Sequence, residues 1–201
     1  MTTLGRRALL SGAAALCWLS VARAGSQAEE PLADSVRTAL SAAIARADPP
    51  KLAFANLDER LAFLKWQGLM SERLKRYKSE GSTRLEFLET LWYEARRAGL
   101  EPALVLGLIQ VESGFRKYAI SSAGARGYMQ VMPFWARLIG DGDAARLFHM
   151  QTNLRFGCVI LRHYLDMERG DLFMALGRYN GSRGRAEYPQ AVLANRERWK
   201  A

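Results

Sequence analysis

Cysteine and histidine are scarce in this sequence, with two of each in 201 residues. His149 and His163 stand fourteen positions apart, without a coherent set of carboxylates or thiolates around them, so neither a metal site nor a cofactor is expected. No phosphate-cradling glycine motif follows a strand-like run. Internal repeats and recognisable flexible linkers are missing too. Proline is rare, six residues in all, and falls mostly at the edges of periodic apolar segments, which favours a helical protein. The most informative gap is local: from Ser113 through Gly140 there is no Asp or Glu.

What is present describes a globular chain. The hydrophobic fraction is 49%, enough for a core and unlike disordered or low-complexity sequence. The first residues read as a leader and are set aside before any fold reasoning. Arg6 and Arg7 form a charged start. Ala8 to Val21 is an apolar stretch too short to span a bilayer, and Ala22-Arg23-Ala24 offers small residues for a signal peptidase. The paired arginines and the modest Gly/Ala-rich apolar region fit twin-arginine export, while the loose match of Gly5-Arg6-Arg7-Ala8-Leu9-Leu10 leaves Sec export open. Leu16 before Cys17 argues against a lipid anchor.

Removing residues 1–24 takes away three arginines and no acid, so the net charge drops from +9 to +6. Cys158 then stands alone, which excludes an intramolecular disulfide even in an oxidising compartment. A basic surface attracts nucleic acid, acidic lipid or an anionic polymer. Export argues against nucleic acid, a cell-wall polymer bearing carboxylates is a natural alternative, and charge alone does not choose between them. No integral span is expected once the leader is gone.

Residues 25–100 form an expected N-terminal helical region: Leu32 to Ala47, then Asn56 to Tyr77 with a break near Gly68. Leu57, Leu61, Leu64, Gly68 and Leu69 share one helical face, and Arg73, Lys75, Arg76 and Lys78 crowd the end as a solvated terminus. Thr83 and Glu86 have capping-box spacing ahead of Leu85, Leu88, Leu91, Trp92 and Ala95, with Gly99 as the stop. Residues 101–201 are the second expected region. Pro102 opens its first helix, and further helices are expected at 133–139, 153–168, 171–179 and 189–199, with Asn153 and Asp171 as caps. Residues 115–132 lose periodicity and read as a loop, with room for a short strand.

Leu104 to Val111 is apolar almost all round and therefore reads as buried. Glu112 closes that helix. A helix C-terminus disfavours a carboxylate, and apolar neighbours strip its hydration, so both effects raise its pKa. A carboxyl protonated near neutrality is what a general acid needs. Alone, Glu112 reads equally as an exposed residue at a frayed end. Downstream, small residues around Ser122 let a loop lie flat against a ligand, Gln130 offers a donor and an acceptor, and Tyr128 with Met132 suits an apolar wall. In an extended run Met129 would face away from that ligand, into the core. Ser113 suits either a substrate carbonyl or a local cap. Cys158, among apolar neighbours, reads as core.

Three blocks in order carry a resemblance: Glu112-Ser113-Gly114-Phe115, Gly124-Ala125-Arg126-Gly127-Tyr128-Met129-Gln130-Val131-Met132-Pro133, and Ala175-Leu176-Gly177-Arg178-Tyr179-Asn180-Gly181. The sequence resembles the catalytic domain of soluble lytic transglycosylases, relatives of goose-type lysozyme. Asn153 to Gly157 and Tyr164-Leu165 match that family's Asn-containing helix. Tyr128 departs from the usual Leu, Phe134-Trp135 from small or Thr residues, and Gly177-Arg178 from a small pair. The resemblance implies an all-α, lysozyme-like domain with an N-terminal helical extension. It also implies cleavage of peptidoglycan glycan strands between N-acetylmuramic acid and N-acetylglucosamine, without water, leaving a 1,6-anhydro end.

Glu112 is then the one acid and base, Tyr179 lies close by and holds its carboxyl or the acetamido group, and Asn180 supports the site or contacts sugar. The acid-free stretch after Ser113 agrees, because most glycosidases use two carboxylates. A single Glu suffices when the substrate supplies its own acetamido oxygen and its own C6 hydroxyl at high effective concentration. Two other readings stand beside this one. The first is a lysozyme-like hydrolase with Asp141 or Asp143 as base. The second is a non-catalytic peptidoglycan-binding envelope protein.

Overall fold

A computed structural model describes residues 27–45 and 51–201, and among these every regular element is helical. The leader expected over residues 1–24 lies outside the described residues. The helices are α1 (Asp34–Ala45), α2 (Leu57–Leu74), α3 (Gly81–Arg97), α4 (Pro102–Glu112), α5 (Pro133–Ile139), α6 (Met150–Met167), α7 (Leu172–Asn180) and α8 (Glu187–Arg198). A 3₁₀ turn, Ala144–Phe148, precedes α6. One buried apolar cluster runs from Phe63 of α2 to Trp199 just after α8, so the N-terminal helices and the rest share a core.

In α2, Asn56 caps the helix by accepting the Glu59 N–H at 2.8 Å, and Gly68 leaves the helix unbroken. The leucines at helical spacing are not its core face. Leu57, Leu61, Leu64 and Leu69 are exposed, while Phe63, Trp66, Met70 and Leu74 are buried. Phe63 and Trp66 pack on Trp92 of α3 with ring centroids 5.2 and 4.6 Å apart. Two apolar stripes compete on this helix, and the aromatic one, with more area to bury, turns inward.

The expected capping box at Thr83 is also corrected. α3 starts at Gly81, and the Glu80 carboxylate ahead of it accepts the hydroxyls of Ser82 and Thr83. Asn153 is not a cap either, because α6 begins a turn earlier at Met150. Asp171 does cap α7, accepting the Met174 N–H at 3.0 Å. Buried Glu94 of α3 is held by Arg155 of α6 at 2.9 and 3.1 Å, with Arg97 on its second oxygen at 3.1 Å. Such a network holds two helices in register, since removing one partner strands a charge in the core.

α4 is the axis of the molecule, with eight of its eleven residues buried. α8 crosses it at Gly107, where an added methyl would stand 2.6 Å from Arg196 N and 2.9 Å from Val192 O. These are backbone atoms and cannot swing aside. The close crossing brings Tyr188, at the start of α8, to the end of α4. Arg73, expected to be solvated, donates to the carbonyls of Arg198 and Lys200 at 2.8 and 2.7 Å and fastens the far end of α8 to α2.

Gly107→Ala gains roughly 1 kcal/mol of helix propensity but forces α4 and α8 apart. The expected outcome is a net loss on the order of 2 kcal/mol, read by thermal or urea denaturation. A neutral or stabilising result would contradict the crossing described.

Candidate active site

Glu112 is the last residue of α4 and only 7% exposed. Its Oε1 accepts a hydrogen bond from the Tyr188 hydroxyl at 2.5 Å, and its Oε2 is buried with no partner among the described residues. Burial drives the carboxyl from its ordinary 4.5 up to about 8, against the opposing pull of the Tyr188 hydrogen bond. Near neutrality Glu112 is therefore a carboxylic acid. With Oε1 occupied by a donor, Oε2 is the atom free to carry the proton.

The segment beside it, 115–132, contains no strand, only isolated bridges of Arg126 with Ile120 and with Val131. From Gly127 to Gln130 the backbone turns instead of extending, so faces do not alternate, and Tyr128, Met129, Gln130 and Val131 are all buried. Asn153 organises the turns. Its Oδ1 accepts from Met129 N and its Nδ2 donates to the carbonyls of Arg126 and Leu147, each at 2.8 Å. Gly127 has φ +74 and passes so close that an added methyl would stand 2.4 Å from the Asn153 amide nitrogen. Only glycine meets both demands there. Phe115 (φ 64) and Gln130 (φ 49) take left-handed backbone without being glycine. Phe115 is held by Tyr77, Trp199 and Phe87, with centroids at 4.8, 5.3 and 6.0 Å.

The side chains expected on the substrate divide in two. Ser122 is exposed and Met132 half-buried at the head of α5, so both are reachable from solvent. Ser113, Tyr128, Gln130 and Tyr179 are buried, with their polar atoms engaged inside the protein. The Ser113 hydroxyl lies 2.7 Å from the Tyr128 carbonyl and 3.2 Å from that of Ile109. The Gln130 amide donates to the carbonyls of Ala119 and Gly127 at 3.1 and 3.0 Å. Tyr179, expected near Glu112 with its hydroxyl on the carboxyl or the acetamido group, does feel the Glu112 charge, but its hydroxyl donates to the Met129 carbonyl at 2.8 Å. Asn180 is 9% exposed and donates to the Ser182 hydroxyl at 3.0 Å.

The tyrosine on the Glu112 carboxyl is thus Tyr188, which sequence reasoning missed. Its signal was faint: an aromatic beside Pro189 at the opening of a helix. Gln27 was missed as well. Its amide accepts the Trp135 indole N–H at 2.9 Å and donates to the Tyr179 carbonyl, while Glu30 pairs with Arg178 at 3.0 Å. The segment from Gln27 to Glu30 thereby bridges α5 and α7.

Asp141 and Asp143, the candidate second carboxylates, serve elsewhere. Asp141 pairs with Arg146 and accepts the Asp143 N–H, and Asp143 caps the 3₁₀ turn through Ala145 N at 2.9 Å. Both line a cavity of about 510 Å³ with Ile44, Ile139, Arg155 and Phe156, to which Glu112 does not contribute. No group of three metal-binding side chains occurs among the described residues. Cys158 is buried, and loss of solvation raises its thiol pKa.

The family described as "Transglycosylase SLT domain" matches residues 90–200, more than half of the chain. The chain belongs to this family. The chain is 33% identical over 118 residues to a transglycosylase of Enterobacteria phage PRD1, a match covering 55% of this chain and 43% of that one. A membrane-bound lytic murein transglycosylase C of Actinobacillus pleuropneumoniae is 39% identical over 84 residues, covering 38% of this chain and 23% of the relative. The chain thus spans less than half the length of these curated relatives.

A crystal structure of an inactive mutant of the lytic transglycosylase Slt from Pseudomonas aeruginosa shares the fold, with TM-score 0.51 and 22% identity. That match covers 70% of this chain and 29% of the other. The fold is the expected all-α, lysozyme-like one.

The elevated pKa has a thermodynamic consequence. Below pH 4.5 Glu112 is protonated folded or unfolded; between 4.5 and about 8 only the unfolded chain ionises it, so stability falls as pH rises through that window. At about 1.4 kcal/mol per unit, the cost at pH 7 is on the order of 3 kcal/mol. Glu112→Gln is expected to melt above the wild type at pH 7 and to converge with it near pH 4. Equal melting at both would show that the carboxyl is solvated. Tyr188→Phe removes the interaction that lowers this pKa, so the apparent pKa of Glu112 should move above about 8, as read by carboxyl titration.

Proposed function

We propose that the chain is a lytic transglycosylase that cuts the β-1,4 bond from N-acetylmuramic acid to N-acetylglucosamine in peptidoglycan. The observation that carries the reading is the buried, protonated Glu112, with no second carboxylate joined to it among the described residues and an SLT domain around it. Oε2 donates its proton to the bridging oxygen, and the N-acetylglucosamine leaves with a free hydroxyl. The muramoyl acetamido oxygen stabilises the cationic anomeric carbon. The C6 hydroxyl of the same sugar then attacks that carbon and returns its proton to Glu112. One C–O bond breaks, one forms, and no water is consumed.

Ser122, Met132 and the edge of Asn180 are the contacts proposed for the sugar. Ser113, Tyr128, Gln130 and Tyr179 act one layer behind, fixing the loop on which those contacts depend. Residues 1–24 are proposed as an export leader that delivers the protein to the periplasm. Among the described residues no helix is long and apolar enough to cross a membrane.

Digestion of purified sacculi followed by mass analysis tests the reaction. 1,6-Anhydromuramoyl ends are expected, and products carrying added water throughout would replace this reading with a hydrolase. Glu112→Gln should lower turnover by at least 10² to 10⁴-fold, on the order of general-acid contributions, with the fold retained. Undiminished cleavage by that variant would remove Glu112 from the chemistry.

A further inference from the structure

Lys78 lies between α2 and α3, before the matched region begins, yet it reaches the loop beside Glu112. Its ammonium donates to the Tyr128 hydroxyl at 2.7 Å and sits 4.5 Å from that ring centroid and 5.2 Å from that of Phe87. The Tyr128 carbonyl is bonded by Ser113, the neighbour of Glu112. Lys78 is therefore joined to the catalytic helix through one residue.

This ammonium is half-buried and pairs with no carboxylate among the described residues. Its pKa is lowered first by desolvation and then by the charge of Lys117, which places a second cation close by. Glu86 of α3 acts electrostatically on Tyr128 but forms no ion pair with either lysine. A methionine would fill the space between Tyr128 and Phe87 without burying charge, so packing alone does not account for lysine there.

The adjoining surface is apolar and stiff. Tyr118 is 70% and Ile120 65% exposed, high values for such large side chains. They flank Ala119, whose carbonyl is fixed by Gly127 N at 2.9 Å and by the Gln130 amide at 3.1 Å. Lys117 lies 5.3 Å over the Tyr118 ring, and that ring meets Phe148 at 6.0 Å. Two cations and a rigid apolar shelf thus adjoin the loop that Glu112 abuts.

We propose that Lys78, Lys117, Tyr118 and Ile120 form a binding site for the peptide that branches from the muramoyl residue of the glycan strand. The two ammonium groups take its carboxylates, and Tyr118 and Ile120 pack against its backbone and alkyl parts. This rests on the reading of the chain as a peptidoglycan-cleaving enzyme. It also gives the N-terminal region a role in choosing substrate.

The full chain carrying Glu112→Gln binds strands without cutting them, which separates recognition from cleavage. Its affinity is measured for glycan strands that bear peptides and for the same strands stripped of peptides by an amidase. A preference of about tenfold for peptide-bearing strands is expected, weakening as salt is raised. Adding Lys78→Met or Lys117→Met should bring the two affinities near parity, and Lys78→Arg should retain most of the preference. Lys117 is exposed, so its variant reports even where the Lys78 variant fails to fold. No preference in the parent, or a preference that survives both methionine variants, overturns the proposal. Cleavage of stripped strands by the wild type tests the catalytic reading separately.

Discussion

A buried loop without regular secondary structure must find a partner for each backbone N–H and C=O outside any helix or sheet, and the site around Glu112 is organised by that requirement. Asn153, fully buried, satisfies three backbone groups with one side chain. Ser113, Gln130 and Tyr179 satisfy the carbonyls of Tyr128, Ala119, Gly127 and Met129. Because these donors come from the end of α4, from α6 and α7 and from the loop itself, residues 127–131 can be buried and the segment still carry left-handed backbone at Phe115 and Gln130. The burial of Glu112 beside it then sets the protonation state, since a carboxyl excluded from water keeps its proton.

The helical architecture was legible because α3 to α8 combine apolar periodicity with punctuation at Gly99, Pro102, Pro133, Asp171 and Gly181. Glu112 was legible for the same reason, an acid at the end of an otherwise apolar helix. What could not be read was the use of each polar side chain. Gln130 and Tyr179 belong to the right blocks, but a motif does not tell whether a hydroxyl or amide faces the ligand or the backbone behind it. The alternation argument failed at Tyr128 because it presumed extended chain, whereas the segment turns. On α2 periodicity identified a leucine stripe but not its direction, and the aromatic stripe claimed the interior.

Partners distant in sequence were the least visible. Tyr188 lies 76 positions from Glu112 and Gln27 lies 152 from Tyr179, and neither pairing has a local signature. Both act through elements whose placement depends on packing between helices. Gly107 permits the approach of α8, and Arg73 anchors its far end. Lys78 was read as one charge among several at a helix terminus, and only its position over Tyr128 separates it from them.

The order of elements along the chain also sets when the site exists. Tyr188 and the close cover over Gly107 arrive on α8, the last helix. Until that helix docks, Glu112 lacks the Tyr188 hydroxyl, whose hydrogen bond draws its pKa down. A chain short of α8 also lacks the backbone that closes over α4 at Gly107. Completion of the fold and enclosure of the Glu112 carboxyl are therefore linked.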